Sequence, residues 1–146
     1  SIFKMVVIVS GTPGTGKTTF AKEYAKKHNL EYIDVNKIID EYNLSLEYDN
    51  ELQTKIIDTN KLNEVLIKII KNNKNIVIDS HLSHYLPKKY VDKCFITKCE
   101  LKVLKKRLTN RGYSEKKIRD NLDAEIFDTC RIEAQELGHI IDVITT

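Results

Sequence analysis

The chain has 146 residues, 41% of them hydrophobic and 31% charged, with 24 Lys and Arg against 21 Asp and Glu for a formal net charge of +3. Such a composition fits one globular domain with enough chain to bury a full core, and no apolar run approaches the ~20 residues of a membrane span. The mild basic bias suits phosphate ligands or RNA proximity and demonstrates neither; direct DNA binding is not expected, and three cysteines without metal-ligand spacing (Cys94, Cys99, Cys130) read as reduced packing residues.

Residues 3–9 (FKMVVIV) are short, apolar and valine-rich, which predicts a buried strand. Residues 17–28 predict a helix with Phe20, Ala21, Tyr24 and Ala25 on one face, ended by Asn29. EYIDV at 31–35 predicts a second strand, 36–43 a short helix and 44–54 an acidic loop. Across 54–72 an apolar stripe (Ile56, Ile57, Leu62, Val65, Leu66, Ile69, Ile70) has helical spacing and ends at KNNKN; Asp58 or Thr59 as an N-cap would instead split this run in two. NIVID at 75–79 and VDKCFIT at 91–97 predict further buried strands. Residues 100–110 predict a basic amphipathic helix broken at Gly112. Residues 114–137 predict one long helix with Ser114 as N-cap and Gly138 just past its end, and HIIDVITT supplies the last strand. This alternation predicts a single α/β domain over 1–146, a parallel sheet with helices on both faces.

Of the five glycines, three fall between Gly11 and Gly16. GTPGTGKT, Gly11 to Thr18, fits G-x-x-x-x-G-K-[ST], with a predicted strand before it and a helix after it. Glycines let such a loop wrap closely around an anion, its N–H groups converge, and the following helix presents its positive end there. Lys17 is expected at the β- and γ-phosphates of a nucleoside triphosphate, the Thr18 hydroxyl on Mg²⁺ and Thr19 near the α-phosphate. The spacing of Gly11, Gly14 and Gly16 excludes a dinucleotide fingerprint. Many NTPases share this loop, so the fate of the γ-phosphate has to be read from other residues.

The apolar strand IVID ends in Asp79, where phosphate-loop proteins bring an acidic residue to the magnesium side. Asp79 is expected to hold Mg²⁺, partly through water, or to orient an attacking water. His81, two residues on, reads either as a cleft residue that positions water or substrate or as a structural hydrogen-bonding residue; His84 is a weaker candidate. Arg107 and Arg111 sit four apart and share a helix face. Arg111, beside Gly112 in RGYSEKK, can close over the site and place positive charge on a transferring phosphoryl group, and Arg107 can stack on adenine or grip phosphate. Lys116 and Lys117 are secondary candidates. TKCE at 97–100 has Glu100 where a guanine-reading motif needs aspartate, and no switch-type DxxG occurs, which argues against a signalling GTPase.

GTPGTGKTT, VIDSH and RLTNRGYSEKKIRDN followed by AEIF together resemble the adenylate kinase isoenzyme 6 family, from about Val6 to Val143. The string after the RLxxR helix is the specific part. The resemblance implies a three-layer P-loop nucleoside monophosphate kinase fold, with a five-stranded parallel sheet, a monophosphate region at roughly 36–59 and a short lid at roughly 110–120. It implies Mg²⁺-dependent transfer of the ATP γ-phosphate to AMP or other monophosphates, with slower ATP hydrolysis alongside. The family's aspartate–histidine pair falls on Asp79 and His81, and its ATP contacts fall on Gly14, Thr15, Gly16, Lys17, Thr18, Thr19 and Arg111. Family members bind ribosomal protein uS11 during maturation of the small ribosomal subunit, which implies that partner and pre-small-subunit particles here. The expected location is cytoplasmic, or nuclear for a eukaryotic member.

Ordinary adenylate kinases carry an arginine in the monophosphate helix and a GFPR-type stretch after the third strand. NKIIDEYNL and DSHLSHYLP contain none, so AMP would be gripped by lysine (Lys37 is the candidate), by backbone groups or by lid arginines. That leaves open an ATP-switched assembly factor in which hydrolysis is the main activity. A shikimate-type kinase is disfavoured, because no dense arginine set for a carboxylate acceptor is present.

Overall fold

The structure, a computed structural model, describes residues 4–73 and 75–146. Phe3 of the first predicted strand and Lys74 of KNNKN lie outside the described residues. In chain order the elements are β1 (Met5–Gly11), α1 (Lys17–His28), β2 (Glu31–Asp34), α2 (Val35–Glu41), β3 (Ser45–Asp49), β4 (Thr54–Ile57), α3 (Thr59–Asn72), β5 (Asn75–Asp79), β6 (Lys93–Lys98), α4 (Leu101–Asn110), α5 (Glu115–Ile126), α6 (Thr129–Glu136) and β7 (Ile141–Thr145). Two short 3-10 turns, Ser83–Tyr85 and Lys88–Tyr90, link β5 to β6.

Five strands form one parallel sheet in the order β2-β5-β1-β6-β7. Alternate residues of each strand point to opposite faces. On one face Val7, Val9, Val77 and Phe95 pack against α1, where Ala21 and Ala25 let the helix approach closely. On the other face Val6, Ile8, Ile76, Ile78 and Ile96 meet Leu62, Leu66 and Ile70 of α3 and Ala134 of α6. The central strands, covered on both sides, carry consecutive apolar residues (6–9, 76–78 and 94–96), which is why they read as continuous runs. The central strand β1 ends in the glycine-rich loop, and the register that sets Val9 beside Asp79 brings the end of β5 to that same edge. Among the described residues no helix is long and apolar enough to cross a membrane.

Two expectations are corrected. The loop at 44–54 and the first residues of the helix at 54–72 are an antiparallel hairpin, β3 with β4. Asp58 caps α3 by accepting from Lys61 N at 3.1 Å, so the helix starts at Thr59 and the β-branched Thr54, Ile56 and Ile57 pair as a strand. The long helix at 114–137 is two helices, because Asp128 adopts a left-handed conformation (φ 56°) while its carboxylate accepts from Lys98 Nζ at 2.7 Å and from Arg131. Ser114 caps the first of them as expected, its hydroxyl accepting from Lys117 N.

Candidate active site at the glycine-rich loop

Two glycines of the loop have no substitute. A Cβ on Gly11 (φ +142°) would lie 2.5 Å from Thr97 Oγ1, and one on Gly14 (φ +90°) would lie 2.9 Å from a methyl of Leu104 and of Leu108. The loop is therefore pressed onto β6 and α4 as closely as bare backbone allows. Buried hydroxyls tie it down from within. Thr15 Oγ1 donates to Thr12 O at 2.6 Å and bonds Thr97 Oγ1 at 2.7 Å, while Thr12 Oγ1 donates to Glu125 Oε1 at 3.0 Å. Glu125, on α5, also accepts from Cys99 N at 3.1 Å and Lys98 Nζ at 3.3 Å. Lys98 of TKCE is thus committed to a partly buried network with Glu125 and Asp128, and no guanine-reading role is left for it.

Lys17 folds back over the loop and donates to Gly11 O at 3.0 Å and Thr12 O at 3.2 Å. Burial lowers its pKa to about 8, with the Arg111 guanidinium acting in the same direction and Asp79 opposing both. An ammonium held this way gains most from an arriving anion.

Asp79 closes the magnesium side. Its Oδ2 accepts from Thr18 Oγ1 at 2.8 Å and from Tyr32 OH at 2.6 Å. Burial first, then the Asp79 carboxylate, pushes the Tyr32 phenol well above its usual range, so it stays a donor. Among the described residues no cluster of three or more His, Cys, Asp or Glu could form a complete metal cage. One carboxylate beside one hydroxyl, all oxygen, instead fits Mg²⁺, which keeps waters and takes its other ligands from phosphate. His81 lines the same cleft with an exposed face. Crowding by protein, then the charge of Lys17, lowers its pKa and favours the neutral ring. His84 takes the structural role: it is buried between Ser10 Oγ (2.7 Å from Nδ1) and Glu133 Oε1 (3.2 Å from Nε2).

Two clefts meet at this loop, of about 620 Å³ and about 560 Å³, both within the range of small-molecule sites. Gly14, Gly16, Thr19 and Arg111 border both. The first continues along Phe20, Glu23, Arg107, Asn110, Ile144 and Thr146. The second holds Lys17, Thr18, Tyr32, Asp79, His81 and Lys117. Arg107 reaches Gly14 O at 3.2 Å and Thr146 Oγ1 at 3.0 Å, so it braces the loop from the first cleft. Arg111 is exposed and makes no side-chain hydrogen bond among the described residues, which leaves its guanidinium free at the junction of the clefts. Lys37 is exposed on α2 and borders neither cleft; its neighbours Asp34 and Asn36 border the second instead. Lys116 pairs with Glu51 of the β3–β4 hairpin, and Lys117 Nζ donates to Gln53 O at 2.7 Å, so the segment after Gly112 meets the hairpin over the second cleft. The roles of Tyr32, Glu125 and Thr146 escaped the reading of the sequence: Glu125 lies in the AEIF string with no role assigned to it there, and each of the three reaches its partner (Asp79, Thr12 and Thr15 O) from a distant element.

A family model described as "AAA domain" matches residues 7–128. The chain is 34% identical over 142 residues to the "Putative adenylate kinase" of Methanocaldococcus jannaschii, covering 97% of this chain and 77% of that one. It is 34% identical over 131 residues to the adenylate kinase isoenzyme 6 homolog of Caenorhabditis elegans, covering 89% and 72%. Among solved structures, shikimate kinase from Bacteroides thetaiotaomicron aligns with a TM-score of 0.58 at 15% identity, covering 97% and 85%, a likeness of fold alone.

Proposed function

Since the chain belongs to the adenylate kinase family that includes the isoenzyme 6 homologues, we propose that it transfers the γ-phosphate of ATP to AMP or another nucleoside monophosphate. The observation that carries this reading is the meeting of the two clefts at Gly14, Gly16, Thr19 and Arg111. A nucleoside in the first cleft would direct its triphosphate across the loop into the second, where an acceptor would approach from the side of Tyr32 and Asn36. Loop amides and Lys17 bind the β- and γ-phosphates, Thr19 the α-phosphate, and Arg107 flanks the base. Arg111 follows the charge that moves from donor to acceptor. Mg²⁺, held by Thr18 and by Asp79 partly through water, would neutralise phosphate charge and fix its orientation. Neutral His81 orients the acceptor or, when no acceptor is present, a water.

A second reading, ATP hydrolysis as the main activity, is favoured by one feature of the acceptor side. Arg111 is the sole arginine bordering the second cleft among the described residues, so the grip on a monophosphate falls to Lys22, Lys117 and neutral groups. An ATPase serving small-subunit maturation through uS11 would rest on the family resemblance. Product stoichiometry with each of the four monophosphates separates the two. Transfer yields two ADP per AMP consumed and no phosphate; hydrolysis yields one ADP per phosphate and is indifferent to AMP. Turnover without any dependence on ATP would contradict both.

A further inference from the structure

The Tyr32 hydroxyl is unused in the roles given above. Its strand position explains how it reaches the site. Tyr32 of β2 lies opposite Val77 of β5, and Asp79 lies two residues further along the same face. Two residues of strand rise about 6.6 Å, which a tyrosine lying along the sheet spans and a serine or histidine does not. The ring packs on the cluster of Val77, Val9 and Ala21, and Lys22 Nζ stands 5.4 Å above it, so the side chain is laid flat toward the strand end.

At that end, the two hydroxyls converge on one oxygen. Asp79 Oδ2 accepts from Tyr32 on β2 and from Thr18 on α1, at 2.6 and 2.8 Å. Oδ1 has no hydrogen bond among the described residues, is absent from the buried atoms without a partner, and belongs to a residue that lines the cleft. The carboxylate is thus fixed at one oxygen and open at the other.

We propose that Tyr32 is the positioning residue for the metal-holding carboxylate: with Thr18 it occupies Asp79 Oδ2 and reserves Oδ1 for the hydration shell of a nucleotide-bound divalent cation. This rests on the nucleotide-kinase reading of the site. Thr18 can offer a hydroxyl lone pair to a cation while its O–H still donates to Asp79, so the tyrosine bond is the second restraint that keeps this carboxylate from swinging, and its effect is on metal affinity rather than on nucleotide affinity. Partners of this outer kind typically contribute a factor of ten or more to metal binding.

Tyr32→Phe keeps the ring and its packing and removes only the donor. The test is Mn²⁺ binding, followed by electron paramagnetic resonance, to the protein saturated with a non-hydrolysable ATP analogue, beside calorimetry of the analogue with metal chelated. We expect Mn²⁺ affinity about tenfold weaker in Tyr32→Phe, metal-free analogue affinity within about twofold of wild type, and a turnover number that recovers at saturating Mg²⁺. Unchanged Mn²⁺ affinity would overturn the proposal. So would an equal loss of metal-free analogue binding, which would make Tyr32 a nucleotide contact. Wild-type protein that bound no Mn²⁺–analogue complex would overturn the kinase reading as well, which keeps the two failures distinct.

Discussion

Replacing Glu125 by Gln tests whether the phosphate loop is held from beneath. The carboxylate is 7% exposed and accepts Thr12 Oγ1, Cys99 N and Lys98 Nζ on its two oxygens. A glutamine keeps one accepting oxygen and turns an amide N–H₂ toward a donor. At least one of the Thr12 hydroxyl and the Cys99 N–H is then buried without an acceptor, at a cost of about 1–3 kcal/mol. Lys98 retains Asp128 and is a quarter exposed, so its share is smaller. A total of roughly 2–4 kcal/mol corresponds to a fall in Tm of roughly 5–12 °C for a chain of this size. Release of Thr12 also unfixes the loop before ligand arrives, and about 1.4 kcal/mol of added ordering raises the Kd of an ATP analogue about tenfold. Calorimetry reads both quantities on the same samples. A Tm within about 2 °C of wild type with unchanged Kd would refute the claim that Glu125 secures the loop.

Lys17→Ala is expected to lower kcat by about a hundredfold or more, the usual effect of deleting one transition-state charge contact; a near-normal rate in a steady-state assay would contradict its phosphate role. Lys17 also makes nucleotide binding pH-dependent. Its folded pKa of about 8 lies below the unfolded 10.5, so between these values the unfolded chain holds more protons and nucleotide-free stability rises with pH. A bound triphosphate restores the charged form, so binding at pH 9 should take up a proton, seen as a dependence of binding heat on buffer ionisation enthalpy and lost in Lys17→Met. Arg111→Ala should reduce kcat more than it raises the Kd of ATP, and equal losses in both would make Arg111 an ordinary binding residue. Gly14→Ala should lower Tm and abolish analogue binding together, since its Cβ has no room against Leu104 and Leu108; wild-type affinity would contradict the packing described.

The parts of this molecule legible in its sequence are those written in consecutive residues. The loop from Gly11 to Thr18 and the apolar strand ending in Asp79 announce themselves through spacing and composition, and both sit at the edge where the central strands end. The hairpin was hidden because Ile56 and Ile57 of β4 continue the helical stripe of α3, and only the Asp58 cap separates the two. The break at Asp128, between α5 and α6, is accompanied by Lys98 reaching it from the end of β6, a partner 30 positions away. Tyr32 and Glu125 are harder still. Their partners Asp79 and Thr12 lie 47 and 113 positions off, and strand order and helix packing alone bring them together.

The central claim, that the first strand-to-helix turn cradles a nucleoside triphosphate, is tested most directly by amide NMR spectra of the protein titrated with a non-hydrolysable ATP analogue and Mg²⁺. The largest shifts are predicted at Gly14 to Thr19, at Asp79 to His81, and at Arg111 and Thr146. Saturable binding that leaves the Gly14 to Thr19 amides unmoved and perturbs another surface would contradict it.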